Sequence, residues 1–266
     1  GLSLERVVGR RSIEGLVGKE MLDALAATSV RAAALSATFI LVNKAALVLD
    51  IDPEEFDVIE PRMFRPAGRA AMPVLQIADH LVNGAGFCNA LGTPNADTGV
   101  TLIASLLREA VADENEYPIN ELTRDNHEHA CEQACYRCLL RYRNQPFHGL
   151  LDWRLGLAYL HALASDQFRC GLDERFDGLA LRMWRTLVER DIGRLRRQFN
   201  ATEVRQAGAL QAVRFERGTR WGLIGHPLWD AEALDGCLGD AVAALGNEPF
   251  TIIDSFNLAR RPVTIR

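Results

Sequence analysis

The residues best suited to chemistry in this chain lie between His127 and Cys138, where three cysteines and two histidines fall within twelve residues. Thiolates and imidazoles at such short spacing are typical ligands of a tetrahedral zinc ion, because one turn of backbone can direct several of them at one point. The closest four-ligand spacing predicts one zinc ion bound by a single set of residues: His129, Cys131, Cys135 and Cys138. The alternative fourth ligands are His148 and, more distantly, Cys88.

A competing interpretation is that these cysteines are small buried hydrophobic residues, since free cysteine is among the most buried residue types. The chain has only 6 cysteines in 266 residues, so clustering by chance is an unfavourable explanation. Closely spaced cysteines without partners elsewhere favour a metal in a reducing compartment over a disulfide framework, which predicts a cytoplasmic protein. The longest apolar run, 32–49, is interrupted by polar residues and predicts a buried helix, with no membrane partner.

Motifs for the common catalytic reactions are missing from the sequence. The segment from Gly15 to Glu20 has the wrong spacing for a phosphate-binding loop and lacks its hydroxyl residue. No acidic helicase box follows a predicted strand, and there is no G-x-S-x-G nucleophile turn. The sequence therefore predicts that this chain is not itself an enzyme.

From the first cysteine of the cluster to Asp152 the sequence follows the pattern C-x3-C-x2-C-L-x2-Y-x-N-Q-x2-H-x-L-L-D. This pattern resembles the MZB zinc-binding domain of certain superfamily 2 helicases, which also occurs in DrmB, the helicase partner in the DISARM anti-phage system. The resemblance covers about residues 25–165 and includes the helix at 28–50 and the glycine-rich turn at 79–87. Members of the family often carry a further cysteine in C-x-C-x3-C-x2-C, and here His129 occupies that first cysteine position.

The resemblance implies a non-catalytic accessory module of a DNA helicase or antiviral defence complex. Its zinc would be structural, and its partners would be a DrmA-like superfamily 2 helicase subunit and DNA. Two alternatives stay open. One is a zinc-dependent nuclease or hydrolase acting on nucleic acid, with Asp152 or Asp254 as candidate acidic residues. The other is a protein–protein adaptor without DNA contact.

Arginine-rich segments in the C-terminal half provide candidate contacts to phosphate or to an acidic partner. A solvated helix that also carries Glu189 and Asp191 is the competing interpretation of the first of these segments. The candidate residues are Arg182, Arg185, Arg190, Arg194, Arg196 and Arg197 on one predicted helix, and Arg260 and Arg261 after the last predicted strand.

Alternating and helical hydrophobic patterns predict the elements that would position these residues. The fold class is α+β: a mixed domain of helices and a short sheet with a zinc-bound loop, then a long helix and a small β-β-α-β subdomain. The predicted domains are 1–165 (MZB-like), 166–200 (a basic helical connector) and 201–266 (a small α/β subdomain). The predicted helices are 28–50, a turn-opened helix with Cys88, 97–112, 150–164, 175–199 and 231–245, and the predicted strands are 56–59, 73–77, 210–215, 221–224 and 250–254.

Overall fold

The computed structural model describes residues 28–64, 72–81, 84–165, 167–199, 201–215, 219–229, 233–246 and 248–262. Within these ranges the protein is α+β, with two small sheets, and it divides after residue 166 into two compact units.

The first unit is mainly helical. Its helices are α1 (Thr28–Leu49), α2 (Phe87–Gly92), α3 (Leu102–Ala112), α4 (Ile119–Leu122), α5 (Asp125–Glu128) and α6 (Trp153–Ala164), and its strands are β1 (Phe56–Phe64) and β2 (Met72–Asp79). The predicted helices and strands of this half are present. Two of the helices begin three to five residues later than predicted, where Thr101 and Asp152 accept hydrogen bonds from the backbone at their N-termini.

Helix α1 is the central element of the first unit, and most of its residues are buried. By length and composition it is apolar enough to cross a membrane, but 78% of its most apolar stretch is buried inside the protein, as in a core helix. It lies directly against α6, where Gly156 permits close approach. A Cβ on Gly156 would come within 2.8 Å of the Ser36 Cβ atom, so any larger residue there would force the helices apart.

A β-hairpin and a tight turn flank this helix pair. Strands β1 and β2 pair in antiparallel register, from Phe56 opposite Asp79 to Phe64 opposite Met72. The Asp79 carboxylate accepts hydrogen bonds from the backbone N–H groups of Gly86 (3.0 Å) and Cys88 (2.8 Å). These bonds hold Gly86 in the left-handed conformation that opens α2, which accounts for the glycine-rich turn.

The second unit combines a sheet with helices. Its helices are α7 (Trp184–Phe199), α8 (Gly236–Ala244) and α9 (Ser255–Arg260), and its strands are β3 (Ala201–Ala207), β4 (Leu210–Phe215), β5 (Trp221–Gly225) and β6 (Phe250–Asp254). The strand order is β3-β4-β5-β6, with antiparallel pairs except for the parallel pair β5–β6. A parallel pair needs a crossover connection, and α8 lies in that connection.

The second unit differs from the prediction in three elements: strand β3 and helix α9 are additional, and helix α7 begins later than predicted. Strand β3 was not predicted, because charged and polar residues obscure its alternation. The predicted helix at 175–199 begins only at Trp184. The turn before it is closed by Gly178, whose carbonyl accepts from the N–H groups of Leu181 (2.8 Å) and Arg182 (2.9 Å). The predicted helix at 231–245 begins at Gly236, directly after Asp235.

Candidate metal centre

Four side chains of the first unit converge on one point and could hold a metal ion such as zinc. They are His127, Cys131, Cys135 and Cys138, and their donor atoms all lie within 4.8 Å of one another. The thiols are free, not joined in disulfides. Three of the four residues are buried, and Cys135 is half-buried.

The distances between the donor atoms fit a tetrahedral zinc site. With Zn–S bonds of about 2.3 Å and Zn–N bonds of about 2.0 Å, the S···S edges of a tetrahedron are about 3.8 Å and the S···N edges are about 3.5 Å. The Sγ atom of Cys138 lies 3.8 Å from that of Cys131 and 3.7 Å from that of Cys135. The Cys135 Sγ atom lies 3.5 Å from the Nε2 atom of His127. The residues present therefore fit the ion that their chemistry implies.

His127 is oriented by the backbone around it. Its Nδ1–H group donates to the carbonyl of Leu122 at 2.9 Å, which leaves the Nε2 lone pair directed at the cysteines. The imidazole packs against Trp153, with ring centroids 5.5 Å apart. The hydrogen bond fixes the tautomer and the packing fixes the ring, so the ligand is held in place before any ion binds.

The histidine in the cluster is thus His127 and not the predicted His129. His129 ends helix α5 and is exposed to solvent. The backbone N–H of Cys131 donates to the carbonyl of His127 at 2.7 Å, so the two residues are one helical turn apart on the same side. Residues two apart in such a turn do not face each other, which turns His129 away. The i,i+4 spacing of His127 and Cys131 was the signal in the sequence that identifies the ligand.

The other two predicted alternatives lie elsewhere. The Nε2–H group of His148 donates to the carbonyl of Arg141 and to Asn144 Oδ1, both at 2.9 Å, so this histidine organises the loop after the cluster. Cys88 lies in α2, where its thiol contacts the carbonyl of Ile77 at 3.6 Å. Desolvation, with the nearby Asp79 carboxylate, raises the pKa of Cys88 to about 11.

Hydrogen bonds within the cysteine segment stabilise its tight turn. The carbonyl of Cys135 accepts from the backbone N–H groups of Cys138 (3.0 Å) and Leu139 (3.1 Å). The N–H of Cys135 in turn donates to the Cys138 sulfur at 3.1 Å. Donation to the sulfur favours its thiolate form, which is the form that binds metal.

Helix α6 fixes the cysteine segment from one side through two side chains at its start. The indole N–H of Trp153 donates to the carbonyl of Cys131 at 2.9 Å. The guanidinium of Arg154 donates to the carbonyls of Cys131 (3.1 Å), Glu132 (2.8 Å) and Glu128 (2.6 Å). Both side chains are buried, and three of these four hydrogen bonds are buried as well, so the cysteine segment is held firmly on this side.

Helix α1 fixes the same region through its buried polar residues. The amide of Asn43 donates to the carbonyl of Cys138 at 3.2 Å and to the hydroxyl of Tyr117 at 3.1 Å. The hydroxyl of Ser36 accepts from the backbone N–H of Asp152 at 2.8 Å. The polar positions that interrupt this apolar helix therefore contact the cysteine segment and its surroundings.

The electrostatics of the cluster favour deprotonation of one thiol. The hydrogen bonds from the Cys131 thiol and the Cys135 backbone N–H lower the pKa of the Cys138 thiol to about 5. The pKa of Cys131 is correspondingly raised by its hydrogen bond to Cys138 and by burial. Three thiols this close cannot all carry charge without a cation, and a divalent ion removes that conflict.

The predicted arginines of the second unit have structural contacts of their own. The guanidinium of Arg185 lies over the ring of Phe176 at 4.2 Å. Arg190 and Arg194 both pair with the buried carboxylate of Asp191, at 2.9 and 3.2 Å. These contacts support the interpretation of a solvated amphipathic helix for the middle of α7.

The remaining predicted arginines lie at the ends of helices. Arg182 is exposed in the turn before α7, and Arg196 and Arg197 are exposed in its last turn. Arg260 lies over the ring of Phe256 at 4.3 Å in the last turn of α9, and Arg261 follows it. The last pair was predicted at a strand end, and it lies at a helix end because α9 begins directly after β6.

The two aspartates of the nuclease alternative are both helix N-caps. The Asp152 side chain accepts from the N–H of Leu155 at 3.2 Å. The Asp254 side chain accepts from the backbone N–H and the side-chain amide of Asn257, both at 2.7 Å. Capping accounts for an aspartate at each position without any catalytic role.

No protein-family model matches this chain, and no characterised protein or solved structure shows significant similarity to it. What can be said of its function therefore depends on the residue pattern of the sequence and on the geometry of the site.

Proposed function

We propose that this chain is a non-catalytic accessory module, held together by one structural zinc ion, of a cytoplasmic superfamily 2 helicase or antiviral defence complex. The observation that carries the proposal is the convergence of His127 and three cysteines, whose donor atoms all lie within 4.8 Å of one another. The resemblance of the segment up to Asp152 to the MZB domain supports the helicase context.

A structural role for the ion follows from its ligands. A catalytic zinc ion commonly keeps three protein ligands and an open position for water, whereas four protein ligands complete the tetrahedron. Three thiolates also donate charge to the ion and make it a weaker Lewis acid. The ion instead cross-links a segment of short turns between α5 and α6, where little regular secondary structure exists to stabilise the fold.

The proposed partners are a DrmA-like helicase subunit and DNA. The exposed arginines at the end of α7, Arg196 and Arg197, are candidates for phosphate contact, and a cationic last turn is also favourable for the helix itself. Arg194 pairs with Asp191, so its charge is partly neutralised and it is a weaker candidate for phosphate contact. The free thiols of the described residues are compatible with a reducing compartment.

The decisive experiment measures zinc content and helicase association on the same preparations. We expect one zinc per chain by elemental analysis, co-elution with a DrmA-like helicase in size-exclusion chromatography, and no hydrolysis of ATP or DNA by the chain alone. The Arg196→Glu/Arg197→Glu double variant should keep zinc and the helicase but lower the DNA affinity of the complex. It should also reduce the salt dependence of that affinity.

The alternatives give different outcomes in that experiment. Helicase association with unchanged DNA affinity and salt dependence in the double variant would indicate an adaptor without DNA contact at this helix. Metal-dependent cleavage of DNA by the chain alone would indicate the nuclease. Absence of zinc from carefully prepared protein would remove the basis of the proposal. The matched control is Arg175→Glu, because Arg175 is exposed, lies before α7 and pairs with the neighbouring Asp173 (3.6 Å).

A further inference from the structure

Beside the metal centre, the first unit contains a cavity of about 470 Å³. Two residues of the metal cluster, His127 and Cys138, form part of its wall, and the floor includes Asn43 and Tyr117. The volume lies in the range of small-molecule sites, which is about 300–1,000 Å³. None of the sequence motifs discussed above accounts for this cavity.

The cavity has an excess of positive charge. Three arginines line it, Arg124, Arg137 and Arg141, against the single carboxylate of Glu121. Glu121 is paired with Arg124 at 2.7 Å. Among the residues that the structure describes, no carboxylate pairs with the other two guanidinium groups. A concave surface of low dielectric concentrates the field of such charges, so it attracts an anion more strongly than isolated surface arginines do.

The floor of the cavity is built and fixed. The Asn43 amide joins the hydroxyl of Tyr117 to the carbonyl of Cys138, and a guanidinium N–H of Arg141 donates to Asn43 Oδ1 at 3.4 Å. Burial raises the pKa of Tyr117, so its hydroxyl stays neutral. Arg141 is thereby tethered on one side and has further N–H groups to offer a ligand.

The other walls are suited to a flat polar group. Leu47 and Leu122 supply apolar surface, and the side-chain amides of Asn120 and Asn126 supply hydrogen-bond donors and acceptors. Guanidinium groups bind phosphate oxygens through bidentate hydrogen bonds, and side-chain amides hydrogen-bond to the edges of nucleobases. The lining thus combines the chemistry needed for both ends of a nucleotide.

We propose that this cavity binds a phosphate-bearing ligand of nucleotide size, with Arg137 and Arg141 holding the phosphate. The ligand is either a free nucleoside monophosphate or the phosphorylated end of a nucleic-acid strand, which share this chemistry. The inference depends on the metal-bound fold of the proposed function, because two metal ligands belong to the wall.

The first test is calorimetric titration of the zinc-loaded full chain at low ionic strength with adenosine monophosphate and, separately, with adenosine. We expect saturable one-to-one binding of the monophosphate and binding of adenosine at least about tenfold weaker, since the charged hydrogen bonds are lost. Wild-type chain with one zinc and no saturable binding of the monophosphate would overturn the cavity proposal and leave the zinc centre intact. Chain without zinc would overturn both.

Variants assign the binding to the cavity. Arg137→Gln and Arg141→Gln should each weaken binding of the monophosphate about tenfold while retaining one zinc. The matched control is Arg143→Gln, because Arg143 is exposed on the same loop, faces Glu54 at 3.7 Å and does not line the cavity. It should change the affinity by less than about twofold. An equal loss in the control would show non-specific attraction to the loop and overturn the proposal.

A further variant keeps the proposal testable if loss of Arg141 disrupts the hydrogen bonds around Asn43 and the protein misfolds. Asn126 is exposed at the edge of the cavity, so Asn126→Asp should leave the fold and the zinc content unchanged. The new carboxylate repels phosphate and should weaken binding at least about fivefold, whereas Asn115→Asp, at an exposed position outside the lining, should not. Unchanged affinity in Asn126→Asp, with both arginine variants misfolded, would count against the cavity.

The source of the phosphate is distinguished with short oligothymidylates. A 5′-phosphorylated strand that binds at least about tenfold more tightly than both the monophosphate and its 5′-hydroxyl counterpart identifies a strand end. Equal affinity for the monophosphate and the phosphorylated strand identifies a free nucleotide. A 5′-hydroxyl strand that binds as well as the phosphorylated one, with no binding of the monophosphate, would show backbone contact elsewhere and overturn the proposal.

Discussion

The two units each contain a close contact between a cysteine and a histidine. The two contacts differ in the number of donor atoms and in the polarity of their surroundings. In the first unit the Cys135 sulfur lies 3.5 Å from His127 Nε2, with two more thiols beside them. In the second unit the Cys170 sulfur lies 3.2 Å from His226 Nδ1, with no third donor in a metal-like arrangement among the described residues. Residue type and proximity alone therefore do not define a metal site.

The surroundings of the second contact favour neutral side chains. Burial raises the pKa of Cys170 and lowers the pKa of His226 to about 3. Aromatic rings enclose the histidine, with Trp184 at 6.1 Å and Trp229 at 6.2 Å between centroids. Backbone Leu228 N–H donates to His226 Nδ1 at 3.2 Å, which occupies the nitrogen that faces the thiol. This contact belongs to a hydrophobic core.

The first contact is surrounded by donors that stabilise charge. The Cys138 thiol has a lowered pKa, and polar side chains from α1 and α6 hold the loop by its carbonyls. A neutral core needs only to exclude water, whereas a metal centre needs a pre-formed polar shell that orients its ligands. The number of donors and the polarity of the second layer thus distinguish the two contacts.

The largest effect on zinc affinity is expected when a cysteine is removed from the cluster. Cys138→Ser should weaken zinc binding by about 3 kcal/mol, or roughly 100-fold, since a complete structural site is worth about 10–16 kcal/mol over four ligands. It should also loosen the ligand loop. A competition titration with a chromophoric chelator measures the affinity. Cys170→Ser is the matched control and should keep wild-type zinc affinity. Loss of zinc in the control would show that the two contacts are not chemically distinct.

A smaller effect is expected from the two neighbouring histidines, and it tests the geometry of the cluster directly. His127→Ala should weaken zinc binding roughly tenfold to 100-fold, because water can fill the vacated position. His129→Ala should change the affinity by less than about twofold, since its side chain is exposed and outside the cluster. The same competition titration distinguishes the two. The reverse ranking of the variants would restore His129 as the ligand.

The smallest expected effect concerns the acid sensitivity of the second unit. The pKa of folded His226 lies below the ordinary value of about 6.5, so the unfolded chain takes up the proton first as the pH falls. The contribution of the neutral histidine to the free energy of unfolding is therefore complete above about pH 6.5. It decreases by roughly 1.4 kcal/mol per pH unit as the pH falls toward 3. Urea unfolding followed by tryptophan fluorescence reports mainly this unit, because Trp184, Trp221 and Trp229 lie in it.

The comparison variant for this experiment is His226→Asn, which keeps an acceptor near the backbone N–H but does not titrate. Between pH 6 and pH 4 its free energy of unfolding should fall less steeply than that of the wild type by about that slope. Identical slopes in the two proteins would mean that the neutral histidine is not a feature of this core.

The sequence was sufficient to predict the cysteines of the site and the elements around it. Helix α1 and strands β1 and β2 follow from hydrophobic pattern, and the three clustered cysteines are adjacent along the chain. The predicted histidine, His129, lies outside the cluster, because the prediction compared spacing along the sequence and not around a helical turn. The local helical turn at α5 decides which of two histidines faces the cysteines, and that turn is only four residues long. The sequence hardly specifies so short a helix, so the i,i+4 spacing of His127 and Cys131 identifies the histidine only once the turn is known.

Other features depend on contacts that no local pattern contains. Strand β3 has exposed charged residues and is defined by its pairing with β4, from Ala201 opposite Phe215 to Ala207 opposite Leu210. The cavity beside the metal centre combines residues from α1, α4 and the cysteine loop, which are up to 98 positions apart between Asn43 and Arg141. Tertiary packing alone brings these residues together, so inspection of sequence segments could not reveal them.

The hydrogen bond from Asn43 to the carbonyl of Cys138 has a consequence for the order in which the protein matures. It joins positions 95 residues apart, whereas the metal ligands themselves span only the interval from His127 to Cys138. During synthesis, α1 leaves the ribosome long before the ligands do, and the cysteine loop can settle only against a helix that already exists. The native loop therefore depends on α1 as well as on its own ligands, and an isolated peptide of residues 125–152 should not acquire the native loop even when zinc is present.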